Sequence, residues 1–283
     1  MKKKRQQLRI AFIGCGNLST SLVKGLLASG CSPQNIWATN RSAEKNQQLR
    51  DSLGIHVSEN NHDALEHADI AVLGVKPQQM QDLAVDIAAV VRRRNPLIIS
   101  VAIGITTVQL NRWFGKHDIS IVRSMPNTPA LVSAGACGLF ANSWVTQEQK
   151  NLAESLYRAV GVAVWVEQEA LINVVAALSG SGPAYFFYMM EAMQEAAIRL
   201  GLPEKIANAL ALQTALGASK LALDSDDDVT TLRRKVTSPK GTTEQAIKVF
   251  DEHNFTRLVE QAMAATIHRA EELTQLFDQP TTL

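Results

Sequence analysis

The chain has 283 residues, 46% of them apolar, and a formal net charge of +1. That length and apolar content suit about two domains with cores of their own, and the charge balance excludes a global field that would draw in nucleic acid or an anionic membrane. Three cysteines, Cys15, Cys31 and Cys137, lack metal-ligand spacing and cannot all pair, which points to a reducing cytoplasm and away from zinc. The one basic run, MKKKRQQLR at positions 1–9, reads as a frayed, solvated tail. The apolar stretch after it is too short for a signal peptide and turns at once into Gly-x-Gly.

In chain order, LRIAFI (8–13) reads as a strand, SLVKGLLAS (21–29) as a helix, NIWATN (35–40) as a strand and AEKNQQLRDSL (43–53) as a helix. DIAVLGV (69–75), LIISVA (97–102) and SIVRS (120–124) follow as strands, with helices QMQDLAVDIAAVV (79–91) and TTVQLNRWF (106–114) between them. Strands alternating with helices at this spacing predict βαβ units and a parallel sheet covered on both faces. Thr106-x-x-Gln109 and Thr146-x-x-Gln149 have the form of capping boxes at helix starts. A last strand pattern, VAVWVE, ends at Glu167, and from Leu171 onward the pattern is helical and Ala-rich. The uncharged window from Ala170 to Met190 is nearly long enough to cross a bilayer, but Ser179 to Pro183 cuts it into two helices meeting at a turn. The fold class expected is an α/β Rossmann-type dinucleotide-binding domain over residues 1–166, followed by an all-α substrate-binding and dimerisation domain over 167–283.

FIGCGNLSTSL places Gly14-x-Gly16-x-x-Ser19 between the first strand and the first helix. Gly14 permits the tight turn, Gly16 lets a pyrophosphate reach the backbone, and Asn17 and Leu18 open the helix whose positive end faces it. Ser19 is a small substitute for the usual third Gly or Ala. The second strand ends in Asn40-Arg41-Ser42, with no acid to take a ribose 2′-hydroxyl. Arg41 can pair with a 2′-phosphate instead, which favours NADPH while leaving NADH possible. Val75-Lys76-Pro77, Ala102, and Met125 with Asn127 follow later strands. Ligands in such sheets lie beyond the carboxyl ends of the strands, so these residues are candidates to line the nicotinamide pocket.

Carbonyl reduction needs a proton donor for the developing alkoxide, and the sequence is short of one. None of Tyr157, Tyr185 and Tyr188 has a lysine four residues later, as in a short-chain dehydrogenase. The helix GPAYFFYMMEAM (182–193) lacks the lysine that β-hydroxyacid dehydrogenases place there. His56, His62, His67, His117, His253 and His268 fall in segments that read as exposed helix or loop. An imine substrate would explain the shortage, because a protonated C=N accepts hydride directly and leaves a neutral amine.

SGSGPAY (179–185), GLPEKIANALALQTALGASKL (201–221) and LRRKVTSPKGTTEQA (232–246), with FIGCGN, VKPQ and RSMPNTPALV upstream, resemble pyrroline-5-carboxylate reductase over nearly the whole chain. The resemblance implies reduction of Δ1-pyrroline-5-carboxylate to L-proline with NADPH or NADH, the last step of proline biosynthesis. It implies a homodimer interlocked through the helical domain, in many members stacked into a decamer, and an active site between the Rossmann domain and the helical domains of the dimer. It also implies that Ser238, Gly241, Thr242 and Thr243 hold the substrate carboxylate, that Thr243 lies near the ring nitrogen as a proton relay, and that Ser181, Gly182 and Pro183 pack against the nicotinamide and substrate ring.

In physical terms, Thr242 with Gln245 would form a capping box, leaving the N–H groups of Gly241 to Glu244 to face a carboxylate at the positive end of the helix dipole. Lys240 departs from the family's glycine at that position. With an ordinary φ its side chain would point to solvent and add a weak attraction for the carboxylate. Asp226-Asp227-Asp228 reads as a solvated run that starts a helix. Two other readings remain: a reductase of another cyclic imino acid, and a non-catalytic NADP-binding oligomeric protein whose substrate turn Lys240 fills.

Overall fold

The computed structural model describes residues 8–115 and 118–278. Positions 1–7 of the basic run and His117, read above as solvated, lie outside them. Arg9, at the end of that run, is instead tied down, its Nη2 donating to Asp69 Oδ1 and its N–H to Asp69 Oδ2, both at 3.0 Å. Eight strands form one sheet in the order β3-β2-β1-β4-β5-β6-β7-β8. They are β1 (Ile10–Ile13), β2 (Ile36–Thr39), β3 (His56–Ser58), β4 (Ile70–Leu73), β5 (Leu97–Ser100), β6 (Ile121–Met125), β7 (Gly135–Ala141) and β8 (Gly161–Trp165). The central strands are buried throughout, which explains their continuous apolar runs. Alternate residues point to opposite faces. Phe12, Val72 and Ile99 join one core with Leu22, Leu26 and Leu156, while Ile13, Leu73 and Ile98 join the other with Ile87, Val91 and Leu110.

The helices of this part are α1 (Asn17–Ala28), α2 (Ala43–Leu53), α3 (Asn61–Glu66), α4 (Met80–Arg94), α5 (Thr107–Trp113), α6 (Gln147–Arg158) and α7 (Leu171–Val175). Both expected capping boxes form: Thr106 and Thr146 Oγ1 each accept from the N–H of the glutamine three residues on, at 3.2 Å, and each glutamine side chain accepts in return.

The structure corrects the expectation of a wholly parallel sheet. β7 runs antiparallel to β6, with Val122 opposite Ala141 and Met125 opposite Gly138. Its sequence GACGLFA is rich in small residues of low β-propensity, and it is flanked on its other side by β8, which runs parallel to it. β3 and α3 also go beyond the pattern read from sequence. The break near Ser179 is not an open turn. Ala176–Gly180 is wound as a π-helical turn, and the Ser181 N–H donates to Ala176 O five residues back at 2.8 Å. Among the described residues no helix is long and apolar enough to cross a membrane.

By packing, the chain divides into two compact units, Met1–Ser181 with Ala265–Leu283, and Gly182–Ala264. This division falls later than the change of texture at residue 166, because α7 and the π turn pack on the sheet: Met125, Ile172 and Ala176 form a small core of their own. The second unit contains α8 (Gly182–Arg199), α9 (Glu204–Asp224), α10 (Val229–Lys235), α11 (Thr242–Glu252) and the start of α12 (Phe255–Asp278). Asp228 caps α10, its carboxylate accepting the Thr231 N–H at 2.7 Å, as expected of an acidic run that starts a helix. Among the described residues of this unit only Gly182, Ala207 and Ala211 are buried. Phe186, Phe187, Tyr188, Leu216 and Leu221 are exposed, far more apolar surface than a lone soluble domain tolerates.

Candidate active site

Gly14 follows β1 with φ +82°, in the left-handed region. A Cβ there would lie 2.7 Å from Val75 Cγ1, and one on Gly74 would lie 2.5 Å from Ser19 Oγ and 2.6 Å from Gly14 O. The two loops therefore touch backbone to backbone, while the space over Gly16 is open for at least 4 Å. The turn is braced from β2: Thr39 O accepts from the N–H groups of Gly14 and Cys15 at 3.1 and 3.0 Å, and Thr39 Oγ1 donates to Asn61 Oδ1 at 2.7 Å. Beside it opens a cleft of about 520 Å³ at the carboxyl end of the sheet, which brings together Gly14, Gly16, Asn40, Arg41, Val75 and Lys76. Ser42, also at its wall, caps α2 by accepting the Lys45 N–H at 3.4 Å. This tight glycine turn at a helix N-terminus, with a basic end to β2, fits a pyridine dinucleotide.

The remaining residues singled out near the sheet divide. Asn17 is exposed at the start of α1, Leu18 is half-buried against the core, and Pro77 opens a single 3₁₀ turn. Ala102 is buried and packs in one of the two sheet cores. Met125, Gly180 and Ser181 share a groove of about 530 Å³ with Arg269 of α12. Asn127 is engaged in the backbone: its Oδ1 accepts the Ala136 N–H at 2.8 Å and its Nδ2 donates to Ser179 O at 3.0 Å. It thereby ties the loop after β6 to the π turn that presents Ser181. Gly182 and Pro183 form the first turn of α8.

Among the described residues, two buried thiols and one buried phenol hold their protons tightly. Burial raises the Cys15 thiol to about 11, opposed in part by Thr20, and pushes the Cys137 thiol and the Tyr157 phenol well above their usual values. Tyr157 is wholly buried and bonded to Ser124 at 2.6 Å. His56 and His67 are not simply solvated, for they stack on Trp37 with ring centroids 4.5 and 5.7 Å away.

In the second unit, the segment before α11 is a closed turn. The Gly241 N–H donates to Ser238 O at 3.0 Å, and Lys240 has φ +60°. Proline at the second position and positive φ at the third make this a type II turn. The ordinary φ expected at Lys240 is thus corrected: a turn built on Pro239 and the Ser238–Gly241 bond places a lysine in the glycine conformation. A Cβ on Gly241 would meet Ser238 O at 2.9 Å, which restricts that position to glycine. The expected capping box is corrected as well. Gly241 is the N-cap and Thr242 the first helical residue, with no side-chain cap bond. The first intrahelical bond runs from the Gln245 N–H to Gly241 O at 3.4 Å. It is therefore the amides of Thr242, Thr243 and Glu244 that stand at the positive helix end, while that of Gly241 is turned inward.

The sequence profile for pyrroline-5-carboxylate reductase dimerisation matches residues 169–273, and one for coenzyme F420-dependent NADP oxidoreductases matches residues 9–104. The pyrroline-5-carboxylate reductase of Pseudomonas aeruginosa is 46% identical over 271 residues, covering 96% of this chain and 98% of that protein. The chain belongs to the pyrroline-5-carboxylate reductase family. A solved reductase of this family from Coxiella burnetii superposes with a TM-score of 0.90 at 47% identity, covering 95% of this chain and 99% of that one. The reductase of Plasmodium falciparum, solved with NADP bound, shares the fold at a TM-score of 0.84 and 24% identity, over 95% of this chain and 99% of that one.

Membership of the reductase family leaves several residues of the site to be found from structure alone. Lys45, Asn61 and Gln79 line the dinucleotide cleft beside the residues expected there. Lys45 had a local signal, standing three residues after the capping Ser42, whereas Asn61 reaches the cleft only through its bond to Thr39 across the sheet. Arg269 in the second groove had none, because the last helix returns to the sheet from far along the chain.

Proposed function

We propose that the chain reduces Δ1-pyrroline-5-carboxylate to L-proline, the last step of proline biosynthesis, preferring NADPH to NADH. The observation that carries this reading is the 46% identity over nearly the full length of a reductase of that name. The bound cofactor supplies a hydride to the imine carbon, and the protonated ring nitrogen takes up the electron pair of the C=N bond. The chain's residues do the rest. The open backbone at Gly16 and the start of α1 receive the pyrophosphate, and Arg41 with Ser42 receives the 2′-phosphate. The amides of Thr242 and Thr243, with Ser238 and the Thr242 hydroxyl, bind the substrate carboxylate, and Thr243 orients or relays the proton at nitrogen. Ser181, Gly182 and Pro183 support the nicotinamide and the substrate ring.

The same reading makes the chain a homodimer through its helical part, as the exposed apolar helices of that unit favour, with dimers stacked into a decamer. Its three free thiols suit the cytoplasm.

The test is NADPH oxidation in the presence of pyrroline-5-carboxylate, with NADH run beside it. Rapid turnover with a lower KM for NADPH supports the reading. A folded protein that binds NADPH without turnover would instead favour the binding-protein alternative, and a faster rate on a six-membered cyclic imine would change the substrate. Arg41→Ala is expected to raise the KM for NADPH about fivefold and leave that for NADH unaltered, as suits loss of one exposed charged contact worth about 1 kcal/mol. Equal effects on both cofactors would remove Arg41 from the phosphate site.

A further inference from the structure

The turn before α11 holds a lysine where only glycine or asparagine is at ease. In an L-residue with a side chain, the left-handed conformation brings Cβ against the following carbonyl, so Lys240 at φ +60° needs a restraint. The structure supplies one. The Lys240 N–H donates to Glu244 Oε2 at 2.8 Å. Glutamate at the third helical position usually reaches back to the N-cap amide. Here the N-cap amide, that of Gly241, is already bonded to Ser238 O at 3.0 Å, so the carboxylate closes on the next donor along. Two amides of the turn are thereby locked inward, one by a carbonyl and one by a carboxylate. The backbone donors left at the helix end are those of Thr242, Thr243 and Glu244.

We propose that Glu244 is a positioning residue of the substrate turn: its carboxylate clamps the Lys240 amide, keeps Lys240 left-handed, and so fixes the donors that receive the substrate carboxylate. This rests on the reading that the turn from Ser238 to Thr243 is the substrate site. Glu244 touches neither substrate nor cofactor in this role, and the need for it arises from the lysine. With glycine at position 240 the left-handed conformation costs little, and the clamp becomes dispensable.

The test measures Glu244→Ala and Glu244→Gln in the full-length protein, each with Lys240 and with Lys240→Gly, and Thr243→Ala beside them. Circular dichroism first verifies that α11 is intact. Glu244→Ala is expected to raise the KM for pyrroline-5-carboxylate at least fivefold, with kcat and the KM for NADPH within twofold of the parent. Glu244→Gln, whose amide oxygen still accepts the bond, should raise it less. In the Lys240→Gly background the effect of Glu244→Ala should fall to within twofold. A merely structural role in the helix would not be rescued by a change at position 240. An unaltered KM in Glu244→Ala, or an equal rise in both backgrounds, overturns the clamp. If Thr243→Ala lowers turnover while Glu244→Ala does nothing, the clamp alone fails. If neither variant changes anything, the turn is not the substrate site and both readings fall.

Discussion

Thr243→Ala is expected to lower turnover on pyrroline-5-carboxylate at least tenfold while leaving the affinity for NADPH unchanged. Thr243 is the second residue of α11 and is exposed, so the substitution opens no cavity. Alanine is the better helix former, and it keeps the backbone N–H that the substrate carboxylate would use. The variant therefore removes a hydroxyl and a methyl group and nothing else. Positioned proton transfer contributes on the order of 10²–10⁴, and water entering the vacated space recovers part of that, which sets the lower bound at about tenfold. Thr243→Val, which keeps the shape, should be as slow as the alanine variant, and Thr243→Ser should recover most of the rate. The loss should fall on kcat more than on the substrate KM, since the hydroxyl acts on the nitrogen as it changes charge. Steady-state rates with saturating NADPH, and a fluorescence titration of NADPH binding, distinguish these cases. A normal rate in the valine variant would remove the hydroxyl from the mechanism.

Where a signal is local, the sequence carried it through to the structure. The capping boxes at Thr106 and Thr146 need only residues three apart, and both form. The glycine turn after β1 likewise needs only Gly14 and the strand before it, and it lies at the mouth of a cleft with Arg41 and Lys76. β7 escaped because GACGLFA is rich in small residues of low strand propensity, and its partners β6 and β8 are not legible from that segment alone. In the turn from Ser238 to Gly241 the backbone geometry outranks side-chain preference. Pro239 and Gly241 already favour a type II turn, whose third position calls for positive φ at Lys240 against what its side chain prefers. Gly241 then becomes the cap in place of Thr242, and Glu244, not Gln245, reaches back. The tie from Asn127 to Ser179 spans 52 positions and has no local trace at all.

A second long-range tie should be costly to break. Arg123, in the middle of β6, is 2% exposed, and its Nε has no hydrogen-bond partner among the described residues. Its guanidinium lies 3.6 Å from Glu169 Oε1 and donates to Asn173 Oδ1 at 3.2 Å. Burial lowers the Arg123 pKa below its usual value, and the charge of Glu169 opposes that shift. Glu169 in turn accepts the N–H and the hydroxyl of Thr107 at 2.7 and 2.8 Å, so one carboxylate joins β6, the start of α5 and the approach to α7. Arg123→Met keeps most of the volume but leaves Glu169 partly buried without a cation. The expected loss is about 3 kcal/mol, the usual result of removing one partner of a buried pair. Glu169→Gln strands the guanidinium instead and should cost a similar amount. The double variant removes both charges, so its cost should fall short of the sum by about 1–3 kcal/mol. Denaturant midpoints at one fixed protein concentration measure all three, because association adds to apparent stability. Strictly additive losses would mean that Arg123 and Glu169 act independently, with Glu169 serving α5 alone.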